Sequence, residues 1–245
     1  MDKEDIQTKS DDIFLEDVKK LITAGDFSSA ISKLLLELTS NSNNIELLYL
    51  LSVSYRYNKN YSKAIESLNS LFALNPEHSR ALQEMGHTYR AMGDYNRALE
   101  AYHRATHLNS ALTASLNAQI KILGQGGQDQ QIKPLKAQLD YIQSLPKPLI
   151  AVIDLLAQGK LVKAEQICKL FLQKNPRNVE GMRLLSQIAL KLGVLDDAEF
   201  LLESALEFSP NNSRIRIEYI QVLRKRQNYA GALHQAKVLL EMDKE

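Results

Sequence analysis

The stretch SRALQEMGHTYRAMGDYNRALEAYHRATHLNSAL, residues 79–112, decides the fold. Met85, Gly86 and Tyr89 fall at helical spacing, Gly93 and Tyr95 mark a turn, and Ala98, Tyr102 and Ala105 resume the helical spacing beyond it. The same residues recur at a fixed interval. Leu51, Tyr55, Tyr61 and Ala64 stand 34 residues before Met85, Tyr89, Tyr95 and Ala98. One step further back, Ala30 follows Gly25 and Phe27 in a more divergent copy. Downstream, Ala164, Ala198 and Ala232 keep the period, preceded by Leu161, Leu195 and Tyr229, with Gly159 and Gly193 two residues earlier. In this register the repeats run 11–44, 45–78, 79–112, 145–178, 179–212 and 213–245, and 32 residues lie between the two triplets. Residues 1–10 read as a polar tail.

The chemistry of the recurring positions explains the pattern. Small residues at 86, 98 and 105 let two antiparallel helices approach closely, while Tyr89, Tyr95 and Tyr102 fill the space between neighbouring repeats. Pro76, Pro176 and Pro210 cannot continue a helix, and each marks a helix exit. The intervening segment 113–144 reads as a degenerate helix pair. Leu116, Ile120 and Leu123 space a first helix, Gly124, Gly126 and Gly127 break it, and a second helix runs from about Gln131 to Leu145 with Pro134 in its first turn. A phosphate cradle at those glycines lacks the Lys and the Ser or Thr that such a loop needs.

Composition narrows the functional classes. Thirty Lys and Arg against 29 Asp and Glu leave a net charge of +1, so no global basic field recruits nucleic acid or an anionic membrane. One cysteine, Cys168, excludes an internal disulfide framework and a multi-cysteine metal site, and its register places it as a buried small hydrophobe. With no apolar leader segment or long apolar run, the chain reads as soluble and cytoplasmic. His103 and His107 stand four apart with Glu100 before them, but two imidazoles are too few for a metal, and both fall at outward positions. His87 lacks the nucleophile or partner carboxylate of a catalytic base. Arg224, Lys225 and Arg226 lack the aromatic interleaving of a nucleic-acid platform. No nucleophile elbow, dinucleotide fingerprint, zinc-protease or Walker motif occurs, so the chain by itself is not an enzyme, and no metal or catalytic residue is assigned.

The repeat resembles the tetratricopeptide repeat, whose 34-residue helix-turn-helix unit has the Leu-Gly-x-x-Tyr, Gly-x-Tyr, Ala, Tyr, Ala and Pro pattern seen best at 79–112. The resemblance implies an all-α, right-handed solenoid of about seven antiparallel helix pairs, in which the first helix of each pair lines a concave groove. It places Tyr49, Val53, Arg56 and Tyr57 there from one repeat, and Arg80, Gln83, His87 and Arg90 from the next. The second triplet contributes Arg183, Gln187 and Lys191, then Arg214, Gln221, Arg224 and Lys225. The arginine forks suit carboxylates and Tyr49 and Tyr57 offer flat apolar contact, so the expected partner is a protein or an acidic peptide. Solvated helix faces are the alternative. The chaperone carboxylate clamp of this family is not matched, since Leu15, Lys19 and Leu50 fall at its positions and Glu84 stands where its last Arg belongs.

A narrower resemblance rests on LLAQGKLVKAEQICKLFLQKNP (155–176), RLLSQIALKLGVLDDAEFLLESALEFSP (183–210) and VLRKRQNYAGALHQAKVLLEMD (222–243). These are similar to the repeats that precede the catalytic domain of bacterial sulfotransferases. The resemblance implies a non-catalytic scaffold that presents acceptor or partner proteins to a following domain. Its 3'-phosphoadenylyl sulfate cofactor would bind only to that domain, and its donor loop is absent here. The register stops one residue short of a full repeat at Glu245, leaving Leu233, Ala236, Leu239 and Leu240 without a following helix. Truncation, or a dimer through that face, is the expectation. A free-standing adaptor with no attached enzyme is the alternative.

Overall fold

The computed structural model describes residues 3–242, with side chains from residue 13 onward. Fourteen helices and no strand occur among the described residues. They pair in chain order. The first four pairs are α1 (Lys3–Ala24) with α2 (Phe27–Ser40), α3 (Ile45–Tyr57) with α4 (Tyr61–Leu74), α5 (Ser79–Met92) with α6 (Tyr95–Leu108), and α7 (Thr113–Gln125) with α8 (Asp129–Ser144). Then follow α9 (Lys147–Ala157) with α10 (Leu161–Lys174), α11 (Val179–Leu192) with α12 (Leu195–Phe208), and α13 (Ser213–Lys225) with α14 (Tyr229–Met242). The chain divides into two compact units, one ending at Leu139 and the other beginning at Asp140. No described helix is long and apolar enough to cross a membrane.

The turn inside each pair explains the period. The backbone turns left-handed at Gly25, Lys59, Gly93, Gly127, Gly159, Gly193 and Gln227, so the spacing is 34 except for the 32 residues between Gly127 and Gly159. The residue after this position caps the next helix at Asp26, Asn60 and Asp94, whose carboxyl or amide oxygens accept from the Ser29, Lys63 and Arg97 N–H groups. Lys59 and Gln227 adopt the left-handed conformation without being glycine, at φ of 60° and 61°.

In the N-terminal unit the buried residues are the repeat positions themselves. Ala30, Ala64 and Ala98 are fully enclosed, as is Tyr102. A Cβ on Gly86 would lie 2.6 Å from the Tyr102 ring, so the glycine makes room for the tyrosine. Tyr89 is half-buried, but Tyr95, expected to fill an inter-repeat space, begins α6 with its ring half in solvent. In the C-terminal unit Leu149, Val152, Cys168, Leu184 and Ile188 form one cluster, and Ala198, Leu202, Ile215 and Val222 belong to the next. Cys168 is enclosed as expected. Its thiol donates to the Gly181 carbonyl at 3.3 Å, and burial pushes its pKa up to about 12.

Two boundaries differ from the sequence reading. The helix α1 begins at Lys3, so the stretch read as a polar tail is helical from that residue, and Met1 and Asp2 lie outside the described residues. The helix α8 begins at Asp129 rather than near Gln131, which puts Pro134 inside the helix instead of in its first turn. Its missing N–H then forgoes one helical hydrogen bond. At the other end Leu233 and Leu240 are exposed while Ala236 and Leu239 are partly covered, and Glu245 lies outside the described residues.

Candidate interaction groove

Side chains on the first helices of successive pairs mostly clasp one another. Between α3 and α5, Arg56 donates to Glu84 from Nε and Nη2, and its guanidinium lies 4.1 Å over the Tyr57 ring. Tyr57 stacks on Phe27 at 5.2 Å between ring centres. Burial raises the Glu84 pKa, and Arg56 only partly offsets it. Between α5 and α7, Gln83 accepts from the Ser115 hydroxyl at 2.9 Å. His87 shares a 2.7 Å hydrogen bond with the Tyr102 hydroxyl. Burial, aided by Arg56 and Arg90, lowers the His87 pKa to about 4, so the ring is neutral at physiological pH. Tyr49 is half-buried against His78, and burial raises its pKa to about 12. Val53 is partly covered, and Arg80 and Arg90 stand exposed on α5.

The C-terminal unit repeats the theme with more charge. The Arg183 side chain is 2% exposed and bridges α11 to α13, donating to Glu180 from Nε at 2.9 Å and to Glu218 from Nη1 at 2.7 Å. Gln187 donates to both Glu218 oxygens at 3.1 Å. The Tyr141 hydroxyl donates to Glu180 at 2.6 Å and accepts from Arg214 at 2.9 Å. Burial raises the Glu180 pKa, but the Arg183 hydrogen bonds outweigh it and hold the carboxyl below its ordinary value.

These contacts correct the expectation for two of the arginine forks. Arg56 and Arg183 are spent within the chain, because a partly or fully desolvated guanidinium needs a carboxylate at hand and the neighbouring helix supplies one. Sequence reading missed Glu84 and Glu218 as their partners. The signal for both was a carboxylate 28 and 35 residues downstream, about one repeat on.

What remains open in the C-terminal unit lies at one end of the α11–α13 face. Lys191, Arg224 and Lys225 are exposed and have no carboxylate within ion-pair distance among the described residues. They border two cavities that share Gln221. The larger, about 690 Å3, is walled by Leu190, Ile217 and Val222 with Gln187, Lys191 and Arg214 at its edge, and the smaller, about 380 Å3, holds Arg224, Lys225 and Tyr229. An apolar strip therefore adjoins three unpaired cations. Chemically this arrangement can seat an aliphatic side chain and pair a carboxylate beside it.

The fold and the laced first-helix face define a repeat-built scaffold. Tetratricopeptide-repeat family models match residues 45–78, 81–111 and 155–207, so the chain carries tetratricopeptide repeats in both units. A solved structure of PilF from Pseudomonas aeruginosa is 17% identical, with 89% of this chain and 98% of that chain covered and a TM-score of 0.50. A tetratricopeptide repeat protein from Parabacteroides merdae is 16% identical over 96% of this chain and 93% of its own, with a TM-score of 0.49. The TPR2AB domain of yeast Sti1, solved in a complex with pHSP90, is 17% identical over 96% and 92%, with a TM-score of 0.38. No curated protein sequence matches the chain.

Proposed function

We propose that this protein is a non-catalytic interaction scaffold whose α11–α13 face binds an extended acidic segment of a partner protein. The observation that carries this reading is the set of three cations, Lys191, Arg224 and Lys225, left unpaired beside an apolar cavity while the neighbouring charges neutralise one another. A partner carboxylate would complete them, and an aliphatic side chain would rest on Leu190 and Ile217. The test is fluorescence anisotropy with a labelled, capped Asp- and Glu-rich peptide carrying one leucine. The triple variant Lys191→Glu, Arg224→Glu, Lys225→Glu is expected to weaken binding by at least about tenfold, and salt to weaken the wild type alone. Equal binding by both proteins overturns the reading.

In the fuller form of this proposal the scaffold precedes a sulfotransferase domain and presents acceptor or partner proteins to it. The stretches 155–176, 183–210 and 222–243 support that attachment by their likeness to such proteins. An immunoblot of the source cells tests it: a native polypeptide far above 27.7 kDa supports an attached domain, and a band at 27.7 kDa favours the free-standing adaptor.

A further inference from the structure

The pair α7 and α8 departs from the repeat at one strict position. Ile132 stands one period after Ala98, where the other six pairs have alanine. An isoleucine there takes more room between two helices than an alanine does. Its side chain is buried, with Cδ1 3.8 Å from where a Cβ on Gly124 of α7 would lie. A cleft of about 930 Å3 lies between α6 and α8, floored by α7, at the upper end of the size range of ligand clefts. It lies wholly in the N-terminal unit and involves none of the groove cations.

The lining has a definite chemistry. Gln130, Gln131 and Gln138 present carboxamides, His103 and His107 add imidazoles, and Gln119 and Thr106 lie buried at the floor. Leu99, Leu123 and Leu135 supply apolar surface between them. No lysine, arginine, phenylalanine, tyrosine or tryptophan lines the cleft, and Glu100 is its one carboxylate. An acidic ligand therefore has no lysine or arginine to pair with there, and a sugar has only the two imidazoles to stack on. A carboxamide offers a donor and an acceptor side by side, which matches the N–H and C=O of a peptide group. A bound helix has those groups satisfied internally, whereas an extended chain offers them at every residue. Gln119 is held in place by Nε2 hydrogen bonds to the Thr106 hydroxyl and the Ser115 carbonyl, so part of the floor is preorganised.

We propose that the cleft between α6 and α8 binds an extended, uncharged polypeptide segment of a partner protein, independently of the acidic-peptide groove. The experiment pans a displayed library of short capped peptides, drawn only from uncharged residues, against the full 245-residue chain. Enriched peptides are then titrated against Gln131→Lys, a change at an exposed position, against Leu135→Lys, and against Arg224→Ala as the groove control. Thermal melting checks that each variant is folded. The expected result is a loss of about tenfold or more for both cleft variants, the size of one or two lost hydrogen bonds, with Arg224→Ala unchanged. Three outcomes overturn the proposal: no peptide enriched above bare matrix, enriched peptides that bind folded Gln131→Lys as they bind the wild type, or a glycan-array ligand that Gln131→Lys abolishes while no peptide binds.

Discussion

The Arg56 guanidinium on α3 grips the Glu84 carboxylate on α5 through Nε to Oε1 and Nη2 to Oε2, the second bond at 3.2 Å. The Glu84 side chain is 5% exposed and that of Arg56 16%, so neither partner falls back on water when the other is removed. Glu84→Ala is expected to cost about 3 kcal/mol by stranding the cation, whereas Arg56→Met with Glu84→Leu stays within about 1 kcal/mol of the wild type. Urea unfolding of the single and double variants checks it. A single variant as stable as the double contradicts the clasp.

Arg183 is enclosed more fully and touches two carboxylates. Arg183→Ala leaves Glu180 and Glu218 facing each other with only Arg214 near them, 3.8 Å from Glu218, and also opens a cavity. A loss of about 3 to 5 kcal/mol is expected in the C-terminal unit, insensitive to salt because the pair is shielded from solvent. Hydrogen exchange of α11 and α13 at low and high salt reads it out.

Two glycines of one repeat serve different ends. Gly86→Ala pushes a methyl group into the Tyr102 ring and is expected to destabilise by about 1 to 3 kcal/mol through overpacking. Gly93→Ala meets nothing within 4 Å, yet φ of 84° costs an alanine about 1 to 2 kcal/mol of backbone strain. Pairing each with Tyr102→Ala separates the causes. The Gly86 effect shrinks in that background, and the Gly93 effect does not.

His87 titrates at about 4 in the folded chain, below its ordinary 6.5, so the unfolded chain takes up its proton first as pH falls. Its contribution to stability is present above 6.5 and is lost between 6.5 and about 4. Glu84 works in the opposite sense: its raised pKa makes its contribution greatest below the ordinary value of 4.5 and lost as pH rises through the folded value. His87→Gln is expected to flatten the fall in stability between 6.5 and about 4. Urea midpoints at stepped pH measure it, and a variant profile as steep as the wild type contradicts the assignment.

The period was legible because it is written in residues whose local chemistry is strict. A left-handed turn favours glycine at 25, 93, 159 and 193, and the capping residue after it is Asp or Asn in the first three repeats. Lys59 and Gln227 accept the same backbone against their own preference, so those two repeats lack the turn glycine. Which of the expected groove cations stay available was not legible. Arg56 and Lys191 look alike in sequence, both cationic positions on a first helix, and only the packing of the next helix shows that one is clasped and the other open.

The sequence by itself determined the helix pairs, their turns and the residues that pack between them, because helical spacing, capping and close approach act over a few residues or within one repeat. The tertiary structure alone decided which charges remain for a partner. Arg56 with Glu84 and Arg183 with Glu218 meet across repeats, where a shift of one helix turn would break either pair. It also decided the α6–α8 cleft, whose lining comes from three helices and is brought together only by their packing.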